Sequence, residues 1–472
     1  LVGRITDGPS YRRTGTIVTP GRLNRFQAER SSLHVPQAPA GVIALTTPIA
    51  SLLRPSPTPR SARIAVSLVF LINGIAGANW FVRIPAIQDR LDLSTASLGL
   101  LLLGLPSGAV MAMPLAGGLV ARLGSRTVNW WSTVGVCLTV ALVGLAPNPW
   151  LLFGALFLFG ATNGAMDVSM NAQGVAVERH YGRSIMAAFH GMFSIGAMAG
   201  AAMGGFIASF DVAAQPHLVS VGLILSLAAL LVPRWMLPPI EDASSREPGV
   251  EAEKPTILIR IPRAVLTLGL VGFCGLLAEG AMADWSAVFL RDVLDTTAGV
   301  AAAGYAVFSF TMAVGRFSGD RLSDRIGSVA IVRYGSLVAA TGLLAVALTP
   351  WPALALIGFG LAGAGLSIIV PIIFSTAGRT PGLPSGQAIA AVTTISYVGF
   401  LAGPPLIGII ASVVTLRGSF LGIVALALAM SALAGTVRHA ESLQGRDPAP
   451  AAQPIESDYA TLRGRPIVDE GD

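Results

Sequence analysis

The chain has 472 residues, of which 53% are hydrophobic and only 12% are charged. Soluble globular domains carry about a quarter charged residues, so this composition excludes a string of soluble domains and points to a bilayer. The net charge of +6 is almost wholly arginine and reads as positive cytoplasmic loops rather than as a nucleic-acid surface, and the two cysteines, Cys137 and Cys274, both inside apolar blocks, exclude a disulfide framework.

Residues 1–61 are rich in Arg, Ser, Thr and Pro, and their apolar run at Val42–Leu53 is broken by Pro48 and too short to span. They are expected to form a disordered cytoplasmic extension. Twelve apolar blocks of spanning length follow, at 62–84, 96–116, 127–147, 150–175, 185–209, 217–237, 264–288, 298–318, 330–349, 352–375, 387–412 and 418–437. Pro147 and Pro149 separate the third and fourth, and Pro350 and Pro352 separate the ninth and tenth. The one long polar break, 239–263, carries Pro248, Pro255 and a mixture of acids and bases. The expected organisation is a six-helix bundle over 62–238, a cytoplasmic linker over 239–263, a second six-helix bundle over 264–437 and a disordered cytoplasmic tail over 438–472. With both termini inside, the outer loops hold only Arg83, Arg90, Arg291 and Arg417, whereas the inner loops hold Arg122, Arg126, Arg179, Arg183, Arg234, Arg321, Arg325 and more. That bias sets orientation and implies a multi-pass membrane protein with cytoplasmic termini.

The two bundles repeat one another. Arg122/Arg325, Gly124/Gly327, Asp89/Asp292, Asp92/Asp295, Gly196/Gly399 and Gly200/Gly403 all lie 203 residues apart (325 − 122). A duplicated all-α membrane unit is the architecture of a secondary transporter that alternates access to a central site.

The loop after the second span reads Gly117-Gly118-Leu119-Val120-Ala121-Arg122-Leu123-Gly124-Ser125-Arg126, and its repeat carries Arg316, Asp320, Arg321, Asp324, Arg325 and Gly327. These residues resemble the cytoplasmic loop motif of the major facilitator superfamily, with Ala121 standing where the motif has aspartate. The resemblance implies twelve transmembrane helices in two pseudo-symmetric six-helix bundles. It also implies that Gly117, Arg122, Gly124, Arg126, Arg316, Asp320, Asp324, Arg325 and Gly327 help to close a cytoplasmic gate. Glycines at 124 and 327 suit a tight turn, and arginine–aspartate pairs can form in one state and break in another.

Polar residues inside apolar spans are costly and so are the candidate solute or proton groups. Asn163, Asp167 and Asn171 recur every four residues and share one face of span four. His190 in span five is expected to approach Asp167 or Asn171, or else to bond a backbone carbonyl. Span seven carries Glu279 near mid-membrane and Asp284 near its outer end, with no basic residue near Glu279 in its own span. Asn73 in span one and Tyr397 in span eleven, beside Thr393, Thr394 and Ser396, add hydrogen-bonding groups. Trp80 and Trp285 read as interfacial anchors, with stacking on a solute as the alternative.

Enzyme classes lack their parts. The only lysine is Lys254, in the linker, so no phosphate-binding Gly-Lys-Ser/Thr exists, and the five histidines are too scattered for a metal cluster. No cofactor or metal is expected. The Met166–Asn171 stretch, Phe189-His190-Gly191 and the Glu279–Trp285 segment look like a group of bacterial inner-membrane permeases distantly similar to the fucose-permease branch of the same superfamily. That resemblance implies a monomer, in contact with membrane lipid, that takes up a small, polar, sugar-like solute with protons. Proton-coupled efflux of an amphipathic compound is the alternative within transport, and a non-transporting receptor or scaffold is the alternative outside it.

Overall fold

The computed structural model describes residues 58–181, 185–238, 262–380 and 385–437, and these form helices and short turns without a strand. Eleven helices are long and apolar enough to cross a membrane. In chain order these are α1 (Pro59–Arg90), α2 (Thr95–Leu123), α3 (Ser125–Leu145), α4 (Pro149–Tyr181), α5 (Met186–Ala208), α6 (Ala214–Trp235), α7 (Arg263–Val293), α8 (Ala298–Ile326), α9 (Ser328–Leu348) and α10 (Pro352–Gly378). The last continuous helix, Ser385–Leu433, breaks at Thr415 (φ 76°) into α11 (385–414) and α12 (416–433), which makes twelve. The apolar blocks and the helices agree closely. One difference is that Pro59 to Ser61 belong to the first turn of α1, capped by the Thr58 hydroxyl, rather than to the extension. Residues 1–57, most of the linker with Lys254, and the tail with His439 lie outside the described residues.

Proline explains three breaks within spans. The carbonyls of Phe81, Leu102 and Ser367 lie four residues before Pro85, Pro106 and Pro371, which have no N–H to offer them. The helix gives way at Val82–Arg83 in α1, at Leu103 in α2 and at Ser367–Ile368 in α10.

The repeat extends to the backbone and the packing. Asp92 and Asp295 both turn at φ 49°, and Gly124 and Gly327 turn at φ 80° and 79°. Ser94 and Thr297, also 203 apart, each cap the following helix with a side-chain oxygen. A Cβ on Gly160 would lie 1.7 Å from the Leu105 carbonyl oxygen, and one on Gly363 would lie 2.3 Å from the Phe308 carbonyl oxygen. Both residues of that pair are offset by 203 (363 − 160; 308 − 105), so α2–α4 and α8–α10 use the same close approach. Small residues make such approaches possible in lipid, where apolar burial alone does not drive helices together.

The arginines of the loops expected to lie outside are engaged rather than free. Arg90 donates to the carbonyls of Gly144 and Ala146 at the end of α3. Arg417 donates to the repeat-equivalent carbonyls of Ala347 and Thr349 at the end of α9. Different arginines thus satisfy the same orphan acceptors of a helix C-terminus. Arg83 reaches His217 Nδ1 (2.9 Å) and the Val212 carbonyl, and Arg291 pairs with Asp89 at 3.6 Å. Trp80 and Trp285 are not interfacial: both are 0% exposed, and neither indole N–H meets a partner among the described residues. Each ring is packed into the apolar core, because the face of α1 and of α7 that carries it turns inward.

Thr415 occupies a region of backbone space that suits glycine (φ 76°, ψ 162°). Such a conformation costs on the order of 1–3 kcal/mol for a residue with a Cβ. Thr415→Gly is expected to raise the midpoint of thermal unfolding in detergent, and an unchanged or lower midpoint would argue against strain at this turn.

Candidate functional site

The two halves enclose a cavity of about 110 Å³. From the first half, Asn73, Gly77 and Phe81 of α1, Leu105 of α2, Phe159 and Asn163 of α4 and Phe193 of α5 line it. From the second half come Glu279 and Ala283 of α7, Tyr305 of α8 and Phe400 of α11. Phe81 and Tyr305 meet edge to face across the cavity, with centroids 5.3 Å apart. At the ends opposite the Gly124 and Gly327 turns, the halves are in close contact. A Cβ on Gly99 would lie 2.8 Å from the Pro404 carbonyl oxygen, and one on Gly205 would lie 2.7 Å from Ala302 Cβ.

Glu279 has a partner that its own span does not supply. Arg316 of α8 binds the Glu279 carboxylate at 3.0 Å, with side chains 12% and 25% exposed, and its other terminal nitrogen donates to the Ser194 hydroxyl of α5 at 2.9 Å. Arg316 therefore ties α7 and α8 of one half to α5 of the other. It is not with the loop motif: eleven residues of helix separate it from Gly327 (327 − 316), about 16 Å along the axis. The sequence carried a signal for this, since Arg316 lies within the eighth apolar block, where an arginine needs a partner or water.

Asp167 forms the second polar group. It accepts from the Asn171 amide at 3.1 Å, and Asn171 also donates to the Asp167 carbonyl at 2.8 Å, so this pair is local to α4. The Tyr397 hydroxyl from α11 of the other half approaches the same carboxylate. Tyr397 is in electrostatic reach of both Asp167 and Glu279. Thr394 and Ser396 instead return their hydroxyls to carbonyls of their own helix.

The remaining candidates spread out. Asn73 donates weakly to the Met170 sulfur at 3.9 Å. His190 sets its ring edge-on to Phe70 at 5.2 Å and lies in the field of Arg316, not beside Asp167. Asp284 is 7% exposed and is packed near Tyr305. Among the loop residues, Gly117, Arg122 and Arg325 are exposed at the same end of the molecule. Arg126 donates to the Arg234 carbonyl at 2.8 Å, and the side chains of Asp320 and Asp324 lie outside the described residues. The aromatic walls and Ser194 were not singled out from sequence, since phenylalanine in an apolar span carries no signal of which way it faces.

Two repeated helical bundles with a cavity between them, aromatic in its walls and holding a few polar groups, define a multi-pass membrane transporter. The Major Facilitator Superfamily description matches residues 66–385. An uncharacterised MFS-type transporter of Yersinia pestis is 38% identical over 78% of this chain and 93% of its own length. Membrane protein MosC of Rhizobium meliloti is 36% identical over 76% of this chain and 86% of its own length. Among solved structures, the nucleoside transporter NupG shares the fold with a TM-score of 0.65 at 12% identity, covering 80% of this chain and 99% of that one. The E. coli fucose:proton symporter FucP has a TM-score of 0.55 at 20% identity, covering 80% and 97%. The chain belongs to the Major Facilitator Superfamily, and it is a transporter rather than an enzyme.

Proposed function

We propose that this transporter moves a small polar solute across a bacterial inner membrane, both termini cytoplasmic, by rocking its halves about the central cavity, and that Glu279 couples this movement to protons. One observation carries the coupling: the Glu279–Arg316 ion pair also reaches Ser194 of the opposite half. With Glu279 ionised, Arg316 is anchored to α7 and draws α5 toward it. A proton on Glu279 exchanges the ion pair for a weaker contact and frees Arg316 to move with or away from α5. Proton uptake and the half–half contact thereby bias one another, as a two-state element requires. The ring-lined walls also suit efflux of an amphipathic compound, and the direction of movement follows from which face loads the solute.

A thermal-stabilisation screen of the purified protein with sugars, amino acids and drugs supplies a transported probe. In proteoliposomes Glu279→Gln is expected to abolish accumulation of that probe under an imposed pH gradient while sparing its exchange, which needs no net proton movement. Wild-type accumulation by Glu279→Gln would remove Glu279 from the coupling role.

A further inference from the structure

The charges around the cavity do not balance. Two carboxylates, Glu279 and Asp167, stand at the junction of the halves, and Arg316 is engaged with the first. Among the described residues the ion pairs are Glu279–Arg316 and Asp89–Arg291, so no arginine pairs with Asp167. The partners of Asp167 are neutral donors, Asn171 and Tyr397. A carboxylate held at this depth by neutral groups alone is expensive, and a cation from outside the protein relieves that cost.

The position of Asp167 makes a solute the source. Asp167 lies one helical turn beyond Asn163 on the same face of α4, and Asn163 lines the cavity. Tyr397 lies one turn before Phe400 of the cavity wall, where the charges of both Asp167 and Glu279 act on it. The wall itself is aromatic, with Phe81, Phe159, Phe193, Tyr305 and Phe400. Ring faces attract a cation, whereas a solute bound by hydroxyls alone would need donors and acceptors where these rings stand. The amides of Asn73 and Asn163 supply the further oxygen acceptors that an ammonium, with three N–H donors, requires.

Building on the transport reading, we propose that the solute carries a protonated amine, which binds between Asp167 and the aromatic wall and takes over part of the contact that Tyr397 makes across the halves. Asp167 is then the counter-ion of the solute, and Glu279 remains the proton group.

The test uses matched probes that differ only in amine and hydroxyl: 2-phenylethylamine with 2-phenylethanol, and glucosamine with glucose. Thermal unfolding of the purified full chain in detergent is followed as each is titrated. At least one amine is expected to raise the midpoint while its hydroxyl partner does not. Asp167→Asn should weaken that amine at least tenfold, and Tyr397→Phe, which removes the competing hydroxyl, should retain or tighten it. The wild-type comparison stands even if a variant does not fold. Equal stabilisation by the hydroxyl partners, persistence of the amine effect in Asp167→Asn, or no effect of any amine overturns the assignment. Transport of a neutral solute would survive that result, because the Glu279→Gln accumulation assay tests it separately.

Discussion

Arg316→Ala is expected to lower stability by about 3 kcal/mol and to abolish transport, because it strands the Glu279 carboxylate among apolar helices. The pair is largely enclosed, with Arg316 12% and Glu279 25% exposed, so water replaces the lost partner only in part. The Ser194 hydroxyl loses its cross-half donor in the same step. The double replacement Glu279→Gln with Arg316→Ala removes both charges and should be less destabilised than Arg316→Ala alone, while transport stays lost. That non-additivity is the signature of a direct pair. The measurement is the apparent unfolding midpoint of each variant in one detergent at one scan rate. If the double variant is as unstable as Arg316→Ala, the cost lies in the packing of the arginine stem and the ion pair is not what holds this junction together.

Gly160→Ala is expected to be the most damaging single-methyl substitution in α4, and Gly363→Ala is expected to be among the most damaging in α10. The new Cβ would sit 1.7 Å from the Leu105 carbonyl oxygen in the first case and 2.3 Å from the Phe308 carbonyl oxygen in the second. Contacts below 3.0 Å are essentially never made by real Cβ atoms, so α2 and α4 would have to part by about 1.3 Å (3.0 − 1.7). The obstacle is backbone, which cannot rotate away as a side-chain tip can. Overpacking of this kind costs about 1–3 kcal/mol or more. Gly154→Ala in the same α4 is the control: its Cβ meets nothing within 4 Å, and alanine is the better helix former by about 1 kcal/mol. Monodisperse yield and unfolding midpoint should fall for Gly160→Ala and Gly363→Ala and hold or rise for Gly154→Ala. Equal behaviour of the three would mean that these helices are not in the close contact described.

The residues read correctly from sequence share a property: their signal is local or repeats at a fixed offset. Span lengths follow from runs of apolar residues. The turns at Gly124 and Gly327 follow from glycine at corresponding places, and their matching φ of 80° and 79° reflects the duplication itself. Asp167 and Asn171 share one face of α4 because they are four residues apart, and the bond between them is local to that helix.

What the sequence by itself determined was therefore the number and length of the helices, their duplication and the identity of the costly polar groups. Only the tertiary structure decided the partners of those groups. In water a helix betrays its buried face by alternating apolar and polar stripes. In lipid it is apolar all round, and that rotational information is lost. Glu279 thus looked unpaired until α8 brought Arg316 beside it, and Trp80 and Trp285 looked interfacial until α1 and α7 were seen to turn them inward. The edge-on contact of His190 with Phe70 of α1 was likewise not legible in the sequence. Which helices are neighbours, and how each is rotated about its axis, is set by glycine contacts between distant spans. A single chain of letters records those glycines but not the spans that they meet.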